Sequence, residues 1–284
     1  MKYLHEFDTI NNYNEMRFGE EYEEPWVSLT NENSKVNYNI TEEEREKERE
    51  ELLNTPLTFT ITNAGNIIWK QGKSGNTKNV IEYSKNKGVW TPITANTDNI
   101  TTSEISVVPG DIIQFRGNNN TYSASVNDFD TFSGSTAQFK IKGNIMSLID
   151  STNFSGTTTL EIDNTFSQIF RNCTGLTSAS QLLLPATTLT KACYYGMFRY
   201  CTNLITAPEL PATILTERCY EYMFQGCTKL NYIKCLATNI SAGYCTYNWV
   251  SGVASSGTFV KAASITSWST GVDGIPTGWT RINA

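Results

Sequence analysis

The chain has 284 residues, a formal net charge of −6, seven cysteines and one histidine. At roughly 100–200 residues per domain, this length predicts two domains or an elongated repeat. The single histidine, His5, lies beside the N-terminus, so one subunit cannot assemble a two-histidine metal site or an internal Ser-His or Cys-His pair. These features exclude most familiar hydrolytic machinery, and we expect no catalytic residue, no cofactor and no metal.

The acidity is concentrated at one end of the chain. Residues 1–52 carry 15 acidic and 6 basic side chains, a net charge of −9, which leaves +3 for the rest. No run of about 18 apolar residues predicts a membrane span, and residues 1–8 lack the apolar stretch of a signal peptide. No basic patch indicates nucleic-acid binding. We therefore expect a protein made in the cytosol that has neither a membrane nor a nucleic acid as partner.

The overall composition indicates a different environment. Thr, Asn, Ser and Tyr are abundant and only 18% of the residues are charged. Such a composition is typical of extracellular β-rich adhesins and fibres. The mismatch between an extracellular type of composition and the lack of an export signal is a clue to function.

The N-terminal part is predicted to contain two short segments. Residues 1–40 are expected to form a small unit, a short helix followed by a β-hairpin, that buries little by itself and needs a partner surface. Residues 41–56 are predicted to form an acidic helical linker, in which Thr41 and Glu44 make a capping box. The alternative is an assembly helix that uses the two leucines at its end.

Residues 57–148 change to a strand pattern. Short apolar or alternating runs separated by turn signals predict an antiparallel β-sandwich. Three aromatic residues, Trp69, Trp90 and Tyr122, fit either its core or a platform that stacks against sugar rings, and core packing is the stronger interpretation.

From residue 166 the sequence repeats itself. The pattern Phe-x-x-Cys-Thr-x-Leu begins at Phe170, Phe198 and Phe224, and Leu-Pro-Ala-Thr-x-Leu begins at Leu184 and Leu210. The units are 26 residues apart, with one spacing of 28. A fixed period of this length predicts a stacked repeat architecture.

Each unit is predicted to hold one short helix and one short strand. Apolar residues recur at steps of four, four, one and three, which indicates one apolar helix face. In one unit these residues are Leu189, Cys193, Met197, Phe198 and Cys201. The fold class that follows is mainly β, with a leucine-rich-repeat type of solenoid and a C-terminal cap over residues 149–284.

The repeat explains the cysteines. Six of the seven share two repeat positions, and Cys235 stands outside them. The two sets are Cys173, Cys201 and Cys227, and Cys193, Cys219 and Cys245. We expect each set to stack as buried, reduced thiols rather than to form disulfides, and the absence of a Cys-x₂₋₄-Cys pair argues against zinc.

The repeats resemble the BspA-type leucine-rich repeats of gut Bacteroidales surface proteins and of their phages. The resemblance extends through residues 229–238 to the closing segment at residues 274–280. The N-terminal segments at residues 3–7, 24–29 and 36–39 resemble the N-terminus of virion proteins in crAss-like and related phages. This resemblance implies a virion structural protein, a head fibre or capsid decoration, made in the host cytoplasm and exposed on the particle surface.

The same resemblance implies two binding regions and a homo-oligomer, either a dimer or a trimer. The N-terminus would dock on the capsid or another virion protein. The expected docking residues are Tyr3, Phe7, Trp26, Val27 and Tyr38. In the alternative interpretation, Trp26 and Tyr38 only hold the hairpin against the β-sandwich. The repeats would present a face to a host-surface glycan or protein, unless their tyrosines only cover the edges of the repeat. The expected contact residues are Tyr195, Tyr200, Tyr222, Tyr232 and Tyr244.

Two alternatives belong to other functional classes. A Bacteroidales cell-surface adhesin would carry a signal or lipoprotein sequence, and a chain that begins at Met1 with the phage-like segment favours the virion protein. A glycosidase would need two carboxylates about 5–10 Å apart across a cleft. The carboxylates of the predicted sandwich are Glu82, Glu104, Asp111, Asp128 and Asp130, and the aspartates lie in a turn or a polar loop.

Overall fold

The computed structural model describes residues 41–72, 79–93, 102–266 and 268–284. The chain divides into two compact units, Met1–Glu51 and Leu52–Ala284. The described residues are mainly β, with mixed sheets and one α-helix, and the predicted mainly β class is confirmed. The helix and hairpin predicted for residues 1–40 lie outside the described residues.

The helix and strands follow one another in chain order. Helix α1 spans Glu42–Leu53. The strands are β1 (Leu57–Asn63), β2 (Gly65–Lys70), β3 (Ile81–Lys85), β4 (Thr91–Ile93), β5 (Thr102–Val107), β6 (Ile112–Gly117), β7 (Ser123–Ser125), β8 (Asp128–Phe129), β9 (Gln138–Asn144), β10 (Leu176–Leu183), β11 (Tyr232–Cys235), β12 (Thr258–Lys261) and β13 (Thr280–Asn283). Two 3₁₀ turns, Ile145–Leu148 and Phe154–Gly156, follow β9.

Helix α1 begins with the predicted capping box. The Thr41 hydroxyl accepts a hydrogen bond from the Glu44 amide at 3.2 Å, and the Glu44 carboxylate accepts one from the Thr41 amide at 2.8 Å. Three glutamates occupy the first turn, where the helix dipole favours negative charge. The capping box is therefore confirmed, and no residue of α1 is buried.

The largest sheet has the strand order β10-β9-β1-β6-β3-β4. Every pairing among β1 to β9 is antiparallel, in this sheet and in the separate pairs β2-β5 and β7-β8. Strand β10 pairs with β9 in parallel. The largest sheet thus continues through β10 into the repeats. The domain boundary predicted between residues 148 and 149 lies inside one apolar core, which contains buried residues from both sides of it.

Aromatic side chains fill the core of this first half. The Phe132 ring lies 4.9 Å from Phe59 on β1 and 4.6 Å from Trp69 on β2. Trp69 and Tyr122 are buried, so core packing is confirmed for both and they do not form an open sugar-stacking platform. Trp90 packs differently, with the Arg116 guanidinium 4.2 Å above its ring.

The repeats contain turns where short helices were predicted. Four ten-residue stretches, which we call the turn segments, span residues 163–172, 191–200, 217–226 and 243–252. In each, positions 2, 6 and 10 have left-handed backbone with φ between 50° and 77°. These residues are Asn164, Gln168, Asn172, Ala192, Gly196, Tyr200, Arg218, Tyr222, Gly226, Tyr244, Asn248 and Gly252. The predicted helices are wrong because a left-handed residue at every fourth position interrupts the helical ladder.

Hydrogen bonds between units take the place of the helical ones. The amides of Phe166, Gln168 and Phe170 donate to carbonyls of the next unit at 2.8, 2.8 and 3.1 Å. The intervening amides, such as that of Ser167, donate three residues back within their own segment. Every second amide thus donates a hydrogen bond to a carbonyl of the neighbouring unit, and these bonds hold the units together in a stack.

Two ladders of aromatic rings run through the stack. Position 4 holds Phe166, Tyr194 and Tyr220, with ring centroids 6.0 and 6.1 Å apart. Position 8 holds Phe170, Phe198 and Phe224, with centroids 5.5 and 5.7 Å apart. Both ladders end on Trp249, 6.4 Å from Tyr220 and 6.2 Å from Phe224. The apolar residues predicted for one face are therefore core residues, although they do not lie on a helix.

A parallel row of strands and bridges lies on another side of the repeats. Ser178 in β10 pairs with Thr206, and Thr206 pairs with Tyr232 in β11. Tyr232 pairs with Thr258 in β12, which pairs with Thr280 in β13. Parallel pairing between equivalent positions of successive units places each unit directly beside the next.

The seven cysteines are free and buried. The Cys201 thiol donates to the Phe170 carbonyl and the Cys227 thiol to the Phe198 carbonyl, both at 3.0 Å. Burial raises the pKa of the Cys201 thiol to about 12. The thiols therefore act as small core residues, and the prediction of free rather than disulfide-bonded cysteines is confirmed.

Asp111 holds the turn between β5 and β6 and should make stability depend on pH. Its carboxylate contacts the Lys85 ammonium at 2.7 Å, the Val108 amide at 2.9 Å and the Asn86 side-chain amide at 2.8 Å. The hydrogen bond from Lys85, then those from Val108 and Asn86, lower its pKa to about 2. Because the folded pKa lies below the unfolded one, the stabilisation is present above pH 4 and is lost as the pH falls to 2.

We expect Asp111→Asn to lower the free energy of unfolding by about 2 kcal/mol at pH 7, at roughly 1.4 kcal/mol per pKa unit. Urea denaturation at pH 7 and pH 2.5 measures this, and the difference from wild type should shrink at the lower pH. Glu161→Gln, on an exposed carboxylate, is the control. A pH-independent difference would contradict the prediction.

Candidate functional site

The turn segments bring tyrosines and arginines to one surface. Positions 3, 4, 7 and 8 of each segment are buried in the core, and the tyrosines and arginines that form the surface occupy positions 2, 5, 6, 9 and 10. We call the following set the tyrosine–arginine surface. It comprises Arg171, Tyr195, Arg199, Tyr200, Arg218, Tyr222, Tyr244 and Tyr247.

The tyrosine rings contact one another edge to face across three units. Tyr222 lies 5.5 Å from Tyr195 of the preceding unit and 5.6 Å from Tyr247 of the following one. Tyr247 in turn lies 5.6 Å from Tyr244. Tyr222 is therefore the centre of a continuous aromatic surface that runs along the stack.

Arginine side chains lie on these rings. The Arg199 guanidinium lies 4.9 Å from the Tyr200 ring centroid and 4.7 Å from that of Tyr222. Arg218 lies 5.2 Å from the centroid of Tyr195, and its guanidinium also pairs with Glu221. A guanidinium between two rings has its plane fixed, so its outer N–H groups are preorganised as donors.

The surface is partly open to solvent. Tyr244 is 65% exposed, Tyr200 and Tyr247 are each 38% exposed, and Tyr195 is 8% exposed. Burial, followed by the negative charge of Glu221, raises the pKa of Tyr195. Its hydroxyl therefore stays protonated at neutral pH and can both donate and accept a hydrogen bond.

The structure brings together four of the five predicted contact residues, namely Tyr195, Tyr200, Tyr222 and Tyr244. Tyr232 instead lies in β11, outside the turn segments. The sequence interpretation missed Tyr247 and the arginines. The repeat period could have identified Tyr247, because Tyr247 follows Tyr195 by two periods of 26 residues.

The other candidate sites fall elsewhere. The five expected docking residues lie outside the described residues. Among the carboxylates, Glu82 pairs with Arg116 at 2.7 Å and Glu104 accepts a hydrogen bond from Asn66 at 2.8 Å. Asp130 accepts hydrogen bonds from the Gly72 amide and the Asn79 side chain, both at 2.8 Å, and burial raises its pKa to about 6. These contacts tie the carboxylates to neighbouring strands and loops.

In the described part of the chain, no cluster of three or more His, Cys, Asp or Glu residues is arranged to hold a metal ion. Within the same ranges, no helix is both long and apolar enough to cross a membrane. Comparison with known protein families, curated proteins and solved structures finds no match to this chain.

Proposed function

We propose that this chain is a phage virion protein, a head fibre or capsid decoration, that attaches the particle to its host through the tyrosine–arginine surface. The resemblance of the repeats and of the N-terminal segments supports the virion assignment. The clustering of tyrosines and arginines supports attachment, because Tyr and Arg dominate binding energy at protein interfaces.

In this proposal the repeats form a leucine-rich-repeat type of solenoid and the sheets before them a β-sandwich. The parallel row through β10, β11, β12 and β13 supports a solenoid, as do the ladders of equivalent residues. The antiparallel pairings of β1 to β9 around Phe132 support a sandwich. The turn segments take the place of the helix that such a repeat is expected to carry.

The observation that carries the binding proposal is the backbone beneath the surface. Tyr200, Tyr222 and Tyr244 all occupy left-handed positions, where an L side chain costs roughly 1–2 kcal/mol. Gly and Asn, which tolerate this conformation, occupy equivalent positions at Gly196 and Asn248. Bulky residues kept at a conformational cost, on a partly exposed surface, point to a function for their side chains.

The N-terminus completes the proposed arrangement. Tyr3, Phe7, Trp26, Val27 and Tyr38 would dock on the capsid or another virion protein, and α1 would act as a spacer. A homo-oligomer, either a dimer or a trimer, suits a symmetric shell.

Replacing Tyr222 by Gly separates binding from folding. We expect at least tenfold weaker binding to intact host cells, because the central ring of the surface is lost and each 1.4 kcal/mol of binding energy is about tenfold in affinity. The free energy of unfolding should stay within about 1 kcal/mol of wild type, since relief of the left-handed strain offsets the lost ring contacts. Flow cytometry with the labelled chain and urea denaturation measure the two effects.

The matched control is Tyr232→Thr, which removes a ring from β11 and keeps a strand-forming residue. Its binding to host cells should remain within twofold of wild type. Equal binding by wild type and Tyr222→Gly would show that the tyrosines only cover the edges of the repeat, and the attachment proposal would then be wrong.

A further inference from the structure

Two neighbouring arginines in the tyrosine–arginine surface form no ion pair with a described residue. Arg171 and Arg199 both occupy position 9, in consecutive turn segments. Arg171 donates to the Gln168 side-chain oxygen at 2.6 Å, and Arg199 donates to the Tyr200 hydroxyl at 3.2 Å. Across the described ranges neither guanidinium lies within ion-pair distance of a carboxylate, in contrast to Arg218, which pairs with Glu221.

The two positive charges also repel each other. Burial, followed by the charge of Arg199, lowers the pKa of Arg171 from its ordinary value. Both guanidinium groups nevertheless remain charged at any physiological pH, because arginine does not lose its proton in proteins. The Nε atoms of both residues are buried, and no described residue accepts a hydrogen bond from either of them. Within the described part of the chain this pair has no counter-charge, and an anion from outside would supply one.

The aromatic neighbours fix where an anion can approach. Arg199 lies between the rings of Tyr200 and Tyr222, so its plane is held. The Tyr200 ring rests on Gly226, where an added Cβ would come within 2.4 Å of the ring. The absence of a side chain at Gly226 thereby leaves room for the Tyr200 ring. The result is a surface on which guanidinium groups lie beside tyrosine rings.

We propose that the ligand of this surface is an acidic polysaccharide, whose carboxylate or sulfate groups pair with Arg171 and Arg199 while its sugar rings lie against the tyrosines. This inference rests on the proposed attachment function. Guanidinium groups bind such oxyanions through paired hydrogen bonds. A polymer with an anion on successive residues matches arginines repeated on successive units, and the C–H faces of its sugar rings match the tyrosine faces between them.

The test compares each acidic polysaccharide with its neutral counterpart. Biolayer interferometry of the full chain would use polygalacturonate against its methyl ester and dextran sulfate against dextran, with polyglutamate as an acidic peptide. We expect at least tenfold tighter binding to one acidic polysaccharide than to its neutral counterpart, with an affinity that falls as salt rises. The variant Arg171→Gln/Arg199→Gln should lose at least tenfold of its affinity for the acidic polymer.

The control variant is Lys229→Gln, which removes one positive charge from an exposed position of the repeats. Its affinity for the acidic polymer should remain within twofold of wild type, and circular dichroism should show all variants folded. Equal binding to charged and neutral polymers, equal binding to polyglutamate, or no binding to either acidic polysaccharide would overturn the acidic-ligand inference. Those results would leave the proposed function standing if Tyr222→Gly still loses its binding to host cells, whereas absence of cell binding by wild type would overturn the proposed function itself.

Discussion

Replacing Phe132 by Ala is expected to lower the free energy of unfolding by roughly 3–5 kcal/mol, the usual cost of deleting a buried phenyl ring. Phe132 is fully buried and its ring contacts four others. The neighbours are Phe59 at 4.9 Å, Trp69 at 4.6 Å, Phe115 at 4.9 Å and Phe170 at 5.7 Å. Phe170 starts a ladder of the repeats, so this ring joins the first sheets to the stack.

Urea denaturation followed by circular dichroism measures this change. Phe129→Ala removes the same atoms from a half-buried position in β8 and should cost less than about 2 kcal/mol. Since Leu52–Ala284 forms one compact unit, we expect a single transition at every wavelength in both proteins. Two separate transitions, or equal costs for the two variants, would contradict a core shared by the sheets and the repeats.

The second large effect is expected at Trp249, which closes the other end of the stack. Trp249 is fully buried, contacts the last ring of both ladders and lies 5.4 Å from Trp268. Its indole N–H donates to the Gly274 carbonyl at 2.8 Å. Trp249→Ala should therefore cost roughly 3–5 kcal/mol from the cavity alone. It would also leave the Gly274 carbonyl without its donor.

Trp249→Phe separates these contributions. It keeps a ring at the end of the ladders and loses the donor, so we expect a smaller cost, on the order of 1–3 kcal/mol. Urea denaturation monitored by circular dichroism avoids the loss of indole fluorescence in both variants. Equal stability of Trp249→Ala and Trp249→Phe would mean that Trp249 does not support the ladders.

The repeat register and its buried positions follow from the sequence, but the backbone of the turn segments does not. Apolar residues at Cys193, Met197 and Cys201 recur every four residues, which is close to the helical period of 3.6. The turn segments use the same spacing with a left-handed residue at every fourth position. The local signal that separates the two is the recurrence of Asn or Gly, as at Asn164 and Asn172. The hydrogen bonds to the next unit are long-range and leave no local pattern.

The candidate surface was likewise predictable only in part. Tyr195, Tyr200, Tyr222 and Tyr244 stand out as tyrosines in the repeats, but Tyr232 belongs to the same list and lies in a strand. Only the ten-residue register of the turn segments separates the two groups. The arginines could not be recognised as part of this surface from the sequence, because they contact rings of a neighbouring unit. The contact of Arg199 with the Tyr222 ring, for example, joins residues 23 positions apart.

Cryo-electron microscopy of intact particles tests the proposed virion function most directly. The proposal predicts density for this chain on the particle, with residues 1–40 against the capsid or another virion protein and the repeats of residues 149–284 projecting outward. Residues 1–40 projecting into solvent with the repeats on the shell would contradict the proposed polarity. Particles that lack the chain, with the chain found on the bacterial cell surface instead, would contradict the virion function.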